Sequence, residues 1–189
     1  MHLTVAVFQR LALARRGFSP YPIWMPCRVT VMPHGEATII RMAGDFDRGL
    51  SQTLADLIVT TAAKVVISLG GVDHINSGGM RDWIGFMRGF VAGRKVVLAE
   101  CSAEFIGQVN MIPDMAQGAV FRSFNCIWTC DDCSAERTVL VALPLVAPHT
   151  MTENCQCGGR FEQSPDSQIF LKLIAAGDLE CESDLHQGA

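Results

Sequence analysis

The chain has 189 residues, 49% of them hydrophobic and 18% charged, with a formal net charge of −4 at pH 7. That is enough apolar material for a core of ordinary size. No apolar run reaches the roughly 18 residues a membrane-spanning helix needs, and the negative balance gives no general pull towards nucleic acid or anionic lipid.

Residues 1–27 read as an N-terminal extension. Residues 3–8 are mostly apolar, but Gln9 and Arg10 interrupt the run and Arg15-Arg16 follow it. A secretory leader places its positive residues first. Met25 lies just before the first convincing strand and is a candidate start.

Residues 28–32 and 37–42 alternate or run apolar with β-branched side chains, and Pro33-His34-Gly35 between them is a turn signal. An opening hairpin is predicted. Gly44-Asp45-Phe46-Asp47 breaks the pattern. Leu50, Leu54, Leu57, Ile58 and Ala62 then recur at helical spacing, with Ser51 or Asp47 as cap. Residues 64–69 suit a central parallel strand buried on both faces. The segment His74-Ile75-Asn76-Ser77-Gly78-Gly79-Met80 reads as a loop. A second helix is predicted over residues 80–91, with Trp83, Ile84, Met87 and Val91 on one side. Residues 95–99 predict another buried strand, residues 103–111 a third helix interrupted near Pro113, and residues 119–124 a last strand.

This alternation with short connections predicts an α/β domain over residues 28–125, a sheet with helices packed on it. The composition changes from Cys126 onward to Cys, Asp, Thr and turn residues. A second, smaller unit is expected over residues 126–173, with a strand at 138–146 and a short helix at 167–173. Residues 174–189 read as a disordered acidic tail.

Two constellations carry chemistry. The first is Ser77, a hydroxyl set between an apolar strand and a helix. An anion there would meet free backbone N–H groups and the positive end of the helix dipole. Asn76 and Ser77 are also good N-cap residues, worth about 1 kcal/mol to the helix; capping and switching are compatible.

The second is Cys130-Asp131-Asp132-Cys133, followed across a predicted strand by Cys155-Gln156-Cys157-Gly158-Gly159. Two thiolate pairs so placed can close a tetrahedral Zn2+ site, as in a zinc ribbon, and glycine after the last cysteine suits the tight knuckle. A single residue separates Cys155 from Cys157, so His149 or Cys126 could replace one of them. A disulfide or redox pair and unrelated free thiols are the other readings. Redox use of Cys130 with Cys133 is disfavoured by two adjacent acids and by the lack of a strand-to-helix turn. Four sulfur ligands leave no open position, which makes the expected zinc structural rather than catalytic. So small a unit lacks a core of its own, and the ion would supply its folding energy. In this unit Asp131, Asp132, Glu136, Glu153, Glu162 and Asp166 face Arg137, Arg160 and Lys172. That balance disfavours phosphate contacts.

Residues 28–124 resemble the STAS domain, the fold of bacterial anti-sigma-factor antagonists and of the cytoplasmic end of sulfate transporters. The resemblance rests on the Gly44-Asp45-Phe46-Asp47 turn, the strand at 64–69 and the segment from Val72 to Met80. It implies that Ser77 is the serine a partner kinase phosphorylates and that Gly79 is the family glycine. Asn76 stands where the family has an acidic residue. The implied function is non-enzymatic: a cytoplasmic regulator that binds a kinase or anti-sigma-like protein through Asn76, Gly79, Met80 and Trp83. A constitutive adaptor with structural zinc, and a thiol-redox sensor using the cysteine cluster, are the alternatives.

Overall fold

The structure, a computed structural model, describes residues 25–57, 62–145 and 154–182. The expected extension at residues 1–24, Ile58 of the first helix and the alternative ligand His149 lie outside the described residues.

The opening hairpin forms as β1 (Arg28–His34) and β2 (Ala37–Phe46), paired antiparallel. Helix α1 (Leu50–Ala55) follows. Neither Ser51 nor Asp47 caps it: Gly49 is the N-cap, and Asp47 Oδ1 instead accepts the Gly49 N–H at 2.8 Å, shaping the turn. Strand β3 (Lys64–Ile75) runs six residues beyond the predicted end at Leu69, because Gly71 and Val72 continue to pair with β2. Of the segment read as a loop, His74 and Ile75 end this strand and Ser77 to Met80 form the first turn of helix α2 (Ser77–Phe90), with Asn76 between them. Strand β4 (Lys95–Ala99) and helix α3 (Ala103–Met111) fall where expected, with a 3-10 turn over Pro113–Ala116.

Strand β5 (Ala119–Phe121) completes a five-stranded sheet in the order β1-β2-β3-β4-β5, in which every pairing after the first is parallel. Alternation sends Val65, Ile67, Leu69, Val96 and Leu98 into the main core with Trp83, Phe86, Met87 and Phe105 of the helices. Val66, Val97 and Ala99 form a separate small cluster with Ile39 and Val120.

The predicted strand at 119–124 divides. After Arg122 the chain enters β6 (Ser123–Cys130), the centre of a second sheet in which β7 (Glu136–Ala142) and β8 (Phe161–Gln163) flank it antiparallel. Residues just after β4 stitch this sheet to the first. The Cys101 N–H donates to Ser123 O, and the Asn125 N–H donates to Cys101 O. Glu100, held at φ 53°, donates its N–H to Ser123 Oγ and accepts Ser68 Oγ–H on its carboxylate at 2.6 Å.

The second unit was expected to lack a core. Its inward residues Phe124, Cys126, Trp128 and Cys130 instead join the main cluster. Helix α4 (Pro165–Ala176), longer at both ends than predicted, inserts Phe170 against Phe121 and Phe124, with ring centroids 4.9 Å apart in each pair.

The expected tail is also corrected over residues 174–182. Gly177, at φ 79°, closes α4, and the chain then lies along the edge of β5. Phe121 N–H donates to Glu180 O and Glu182 N–H donates to Phe121 O, both at 2.8 Å. Glu182, with its side chain 5% exposed, meets Arg122 Nε at 2.7 Å and the ammonium groups of Lys95 and Lys64 at 3.6 and 3.8 Å. An acidic stretch is ordered here because three cations at the sheet edge receive it. Burial alone would raise the Glu182 carboxyl, but the Arg122 hydrogen bond and the surrounding positive charge hold it below its ordinary value.

A depressed carboxyl stabilises the fold above its unfolded pKa and loses that contribution as pH falls through the folded value. Glu182→Gln is therefore expected to cost about 2 kcal/mol at pH 7. The difference should shrink as pH is lowered through the folded-state value of this carboxyl, where the native form takes up a proton as well. Urea midpoints followed from pH 7 into the acid range check this.

Candidate functional site

The α2 terminus is built by the end of β3. Asn76, in extended backbone, is the N-cap, and its Oδ1 accepts the N–H groups of Gly78 and Gly79, both at 2.9 Å. Ser77 is thus the first helical residue rather than the cap, and it is exposed. The amide at Asn76, where a carboxylate would also accept these bonds, is committed to the backbone.

Gly79 is fixed by close approach. A Cβ there would run into the carbonyl group of Phe46 and the backbone nitrogen of Asp47. The start of α2 is thereby pressed onto the end of β2, where Phe46 O also accepts the Asn76 N–H at 3.0 Å.

Trp83 does not reach the surface. It is fully buried, its Nε1–H donates to Met115 O at 2.8 Å, and its ring packs on Phe46, Phe86 and Phe105. Its place as a partner contact is corrected to a core role: the face it shares with Met87 points at the sheet. The exposed side of α2 carries a different set, at positions three, four, seven, eight and eleven after Ser77. Met80, Arg81, Ile84, Gly85 and Arg88 line a shallow open groove with that serine. Of the expected partner-binding residues, Met80 borders the groove, while Asn76 and Gly79 set its end. Arg81, Ile84 and Gly85 join it at four, seven and eight residues after Ser77, so Ile84, expected on the side of Trp83, borders the groove instead.

The cysteine cluster assembles from two tight turns. Cys130 is the last inward residue of β6, and Ser134, at φ 58°, reverses the chain by donating its N–H to Cys130 O. Opposite, Gly158, at φ 97°, lets its N–H reach Cys155 O, while the Cys155 N–H donates to Gly159 O, both at 2.9 Å. The knuckles interlock: Asp131 Oδ1 accepts the Arg160 N–H at 2.8 Å, and the Asp131 N–H donates to Arg160 O. A Cβ on Gly159 would lie 2.8 Å from Cys130 Sγ and 2.7 Å from Asp131 Oδ1, so the side chains of the cluster would have to shift to admit one.

The sulfurs of Cys130, Cys133, Cys155 and Cys157 all lie within 4.8 Å of one another. Four thiolates at the usual ~2.3 Å from one zinc would be ~3.8 Å apart, so this spacing could hold a metal ion. The Gly159 N–H points at Cys157 Sγ, 3.4 Å away, as the knuckle reading requires. Cys126 is not part of the set. It is buried farther along β6 and accepts Gln163 Nε2–H at 3.2 Å.

Crowding of the sulfurs separates their acidities. The Cys157 backbone N–H draws the Cys155 thiol down to about 7. The Gly159 N–H favours the Cys157 thiolate, but the sulfurs of Cys133 and Cys130 outweigh it and push that thiol up to about 12. Holding all four as thiolates at this spacing would take a cation between them.

No protein-family model matches the chain, and no curated protein matches it. Among the described residues no helix is long and apolar enough to cross a membrane.

Proposed function

We propose that this chain is a non-enzymatic cytoplasmic regulator of STAS type, carrying a structural Zn2+ ribbon, that docks a kinase or anti-sigma-like protein along the outer face of α2. The observation that carries this reading is the stripe from Ser77 to Arg88. It presents Met80 and Ile84 as apolar contacts, two arginines beside them, and an exposed hydroxyl at the positive end of the helix. A partner surface with apolar centre and acidic rim fits that stripe. The sheet-and-helix order around Ser77 supports the STAS assignment, and the four-sulfur spacing supports zinc.

Phosphate on Ser77 would add about −1.5 to −2 charge. The helix terminus tolerates that charge, while an acidic partner rim is repelled by it. Ser77→Asp is therefore expected to weaken partner capture and leave thermal stability unchanged or slightly higher. Ser77→Ala should preserve capture.

Gly85 offers a separate probe of the same groove, because a Cβ there meets nothing within 4 Å. Gly85→Trp should leave the fold intact and reduce capture at least about tenfold. Affinity purification from source lysate with the wild type and these three variants, read by mass spectrometry, tests the reading. A partner retained equally by all four proteins would overturn docking at α2. Equal capture by Ser77→Asp and Ser77→Ala, with loss in Gly85→Trp, would make the protein a constitutive adaptor.

A further inference from the structure

Two sulfur–sulfur contacts link the two knuckles of the cysteine cluster. Cys130 Sγ lies 3.5 Å from Cys157 Sγ, and Cys133 Sγ lies 3.5 Å from Cys155 Sγ. Both close pairs cross from one knuckle to the other. We propose that the cluster is a peroxide-responsive modification site, in which a hydroperoxide converts it into two cross-knuckle disulfides, Cys130–Cys157 and Cys133–Cys155, and expels any ion it holds.

The chemistry balances without a further reactant. One thiolate attacks the peroxide oxygen, giving a sulfenic acid and water once the leaving hydroxide takes up a proton. The facing thiol attacks that sulfur, forming the S–S bond and releasing a second water. Each disulfide thus consumes one hydrogen peroxide, reduced to water, and two thiols, oxidised to the disulfide. Starting from a divalent ion held by four thiolates, two peroxides and four protons yield two disulfides, four waters and the free ion.

Access favours this site over the other thiols of the core. Cys133 and Cys157 are exposed, one in each pair, whereas Cys101 and Cys126 are buried. Each exposed sulfur can meet peroxide while its partner waits 3.5 Å away. Geometry also sets the consequence. The new bonds join the end of β6 and the turn after it to the segment before β8, the same chain regions that a shared ion would join. Oxidation would therefore release the ion without opening the ribbon, and reduction would restore the four thiols.

This inference rests on the cysteine cluster of the proposed function but not on zinc being its occupant. Double variants separate the pairings. Cys133→Ser with Cys155→Ser leaves the close pair Cys130 and Cys157; Cys130→Ser with Cys157→Ser leaves Cys133 and Cys155. Both should form their disulfide under dilute hydrogen peroxide. The mismatched doubles, Cys130→Ser with Cys155→Ser and Cys133→Ser with Cys157→Ser, should do so at least about tenfold more slowly. Disulfide-linked peptides and intact mass give the rates.

Wild-type protein supplies a second measurement that needs no variant to fold. Cleavage before Asp131, followed by fragmentation of the linked peptides, should show cross-knuckle pairs, with ion release followed by a colorimetric chelator. Disulfides within a knuckle, mismatched variants reacting as fast as matched ones, or over-oxidation to sulfinic acid without disulfides would each overturn the proposal. Matched pairs reacting faster in protein isolated without metal would leave it standing while removing the zinc reading.

Discussion

On the zinc ribbon proposed above, Cys130→Ser is expected to abolish metal binding by the cluster, with the loss of order confined to the ribbon. Cys130 is the most buried of the four cysteines and ends β6. A serine hydroxyl is a poor ligand, and in that buried position bulk water cannot easily complete the coordination. Apparent free energies for structural zinc of about 10–16 kcal/mol in small peptides show how much order one ion can supply. Here the dependence should be partial. The inward residues of β6 and Phe170 of α4 belong to the main core and remain packed without the ion. Strand β8 is three residues long and preceded by the second knuckle, so without the ion only its pairing with β6 and the buried Phe161 hold it. Hydrogen exchange should therefore speed up around residues 130–136 and 155–163 and stay slow in β3 and β4. Metal analysis paired with that exchange map decides the matter: full metal retention refutes the ligand set, and global unfolding refutes the partial dependence.

Gly79→Ala is expected to destabilise the protein by about 3 kcal/mol, the upper end of the range for overpacking. The added methyl meets the backbone of Phe46 and Asp47 rather than a movable side chain. Relief requires α2 to lift away from β2, which disturbs the packing of Trp83 on Phe46 at 5.4 Å. Gly85→Ala, on the same helix with open space around it, should do the opposite and stabilise by about 0.5–1 kcal/mol. Denaturant unfolding of the two variants side by side checks the argument, since helix propensity alone predicts the same sign for both. The glycine expected as a docking residue thus acts first by setting where the helix starts.

Much of the sheet was legible because its strands are buried on both faces. Lys64 to Leu69 and Lys95 to Ala99 read as continuous apolar runs, which only a central parallel strand accommodates well. The far half of β3 was not legible, since Gly70-Gly71 and Asp73-His74 carry turn composition and only pairing with β2 makes them strand. The four cysteines were readable from their spacing and flanking glycine, whereas the cross-knuckle pairing depends on how two distant turns interlock. Trp83 misled for a reason of geometry. It shares the apolar side of the helix with Met87, as its spacing already indicated, and that side turns wholly inward, away from any partner. The role of Glu182 left no local signal, because its three cations come from positions scattered along the chain.

That last contact changes what kind of fragment can stand alone. The chain leaves the five-stranded sheet after Phe121, builds the ribbon and α4, and only then returns to lay residues 180–182 against the strand it left. The ribbon is therefore an insertion in the sheet's connectivity rather than an addition at its end. A fragment cut at the apparent boundary near residue 125 would leave the edge of β5 bare, with Lys64, Lys95 and Arg122 facing one another and no carboxylate among them. Unpaired strand edges invite association between copies. A stable fragment of this protein thus has to include a few residues far downstream, and during synthesis the β5 edge stays uncovered until the ribbon has already been made.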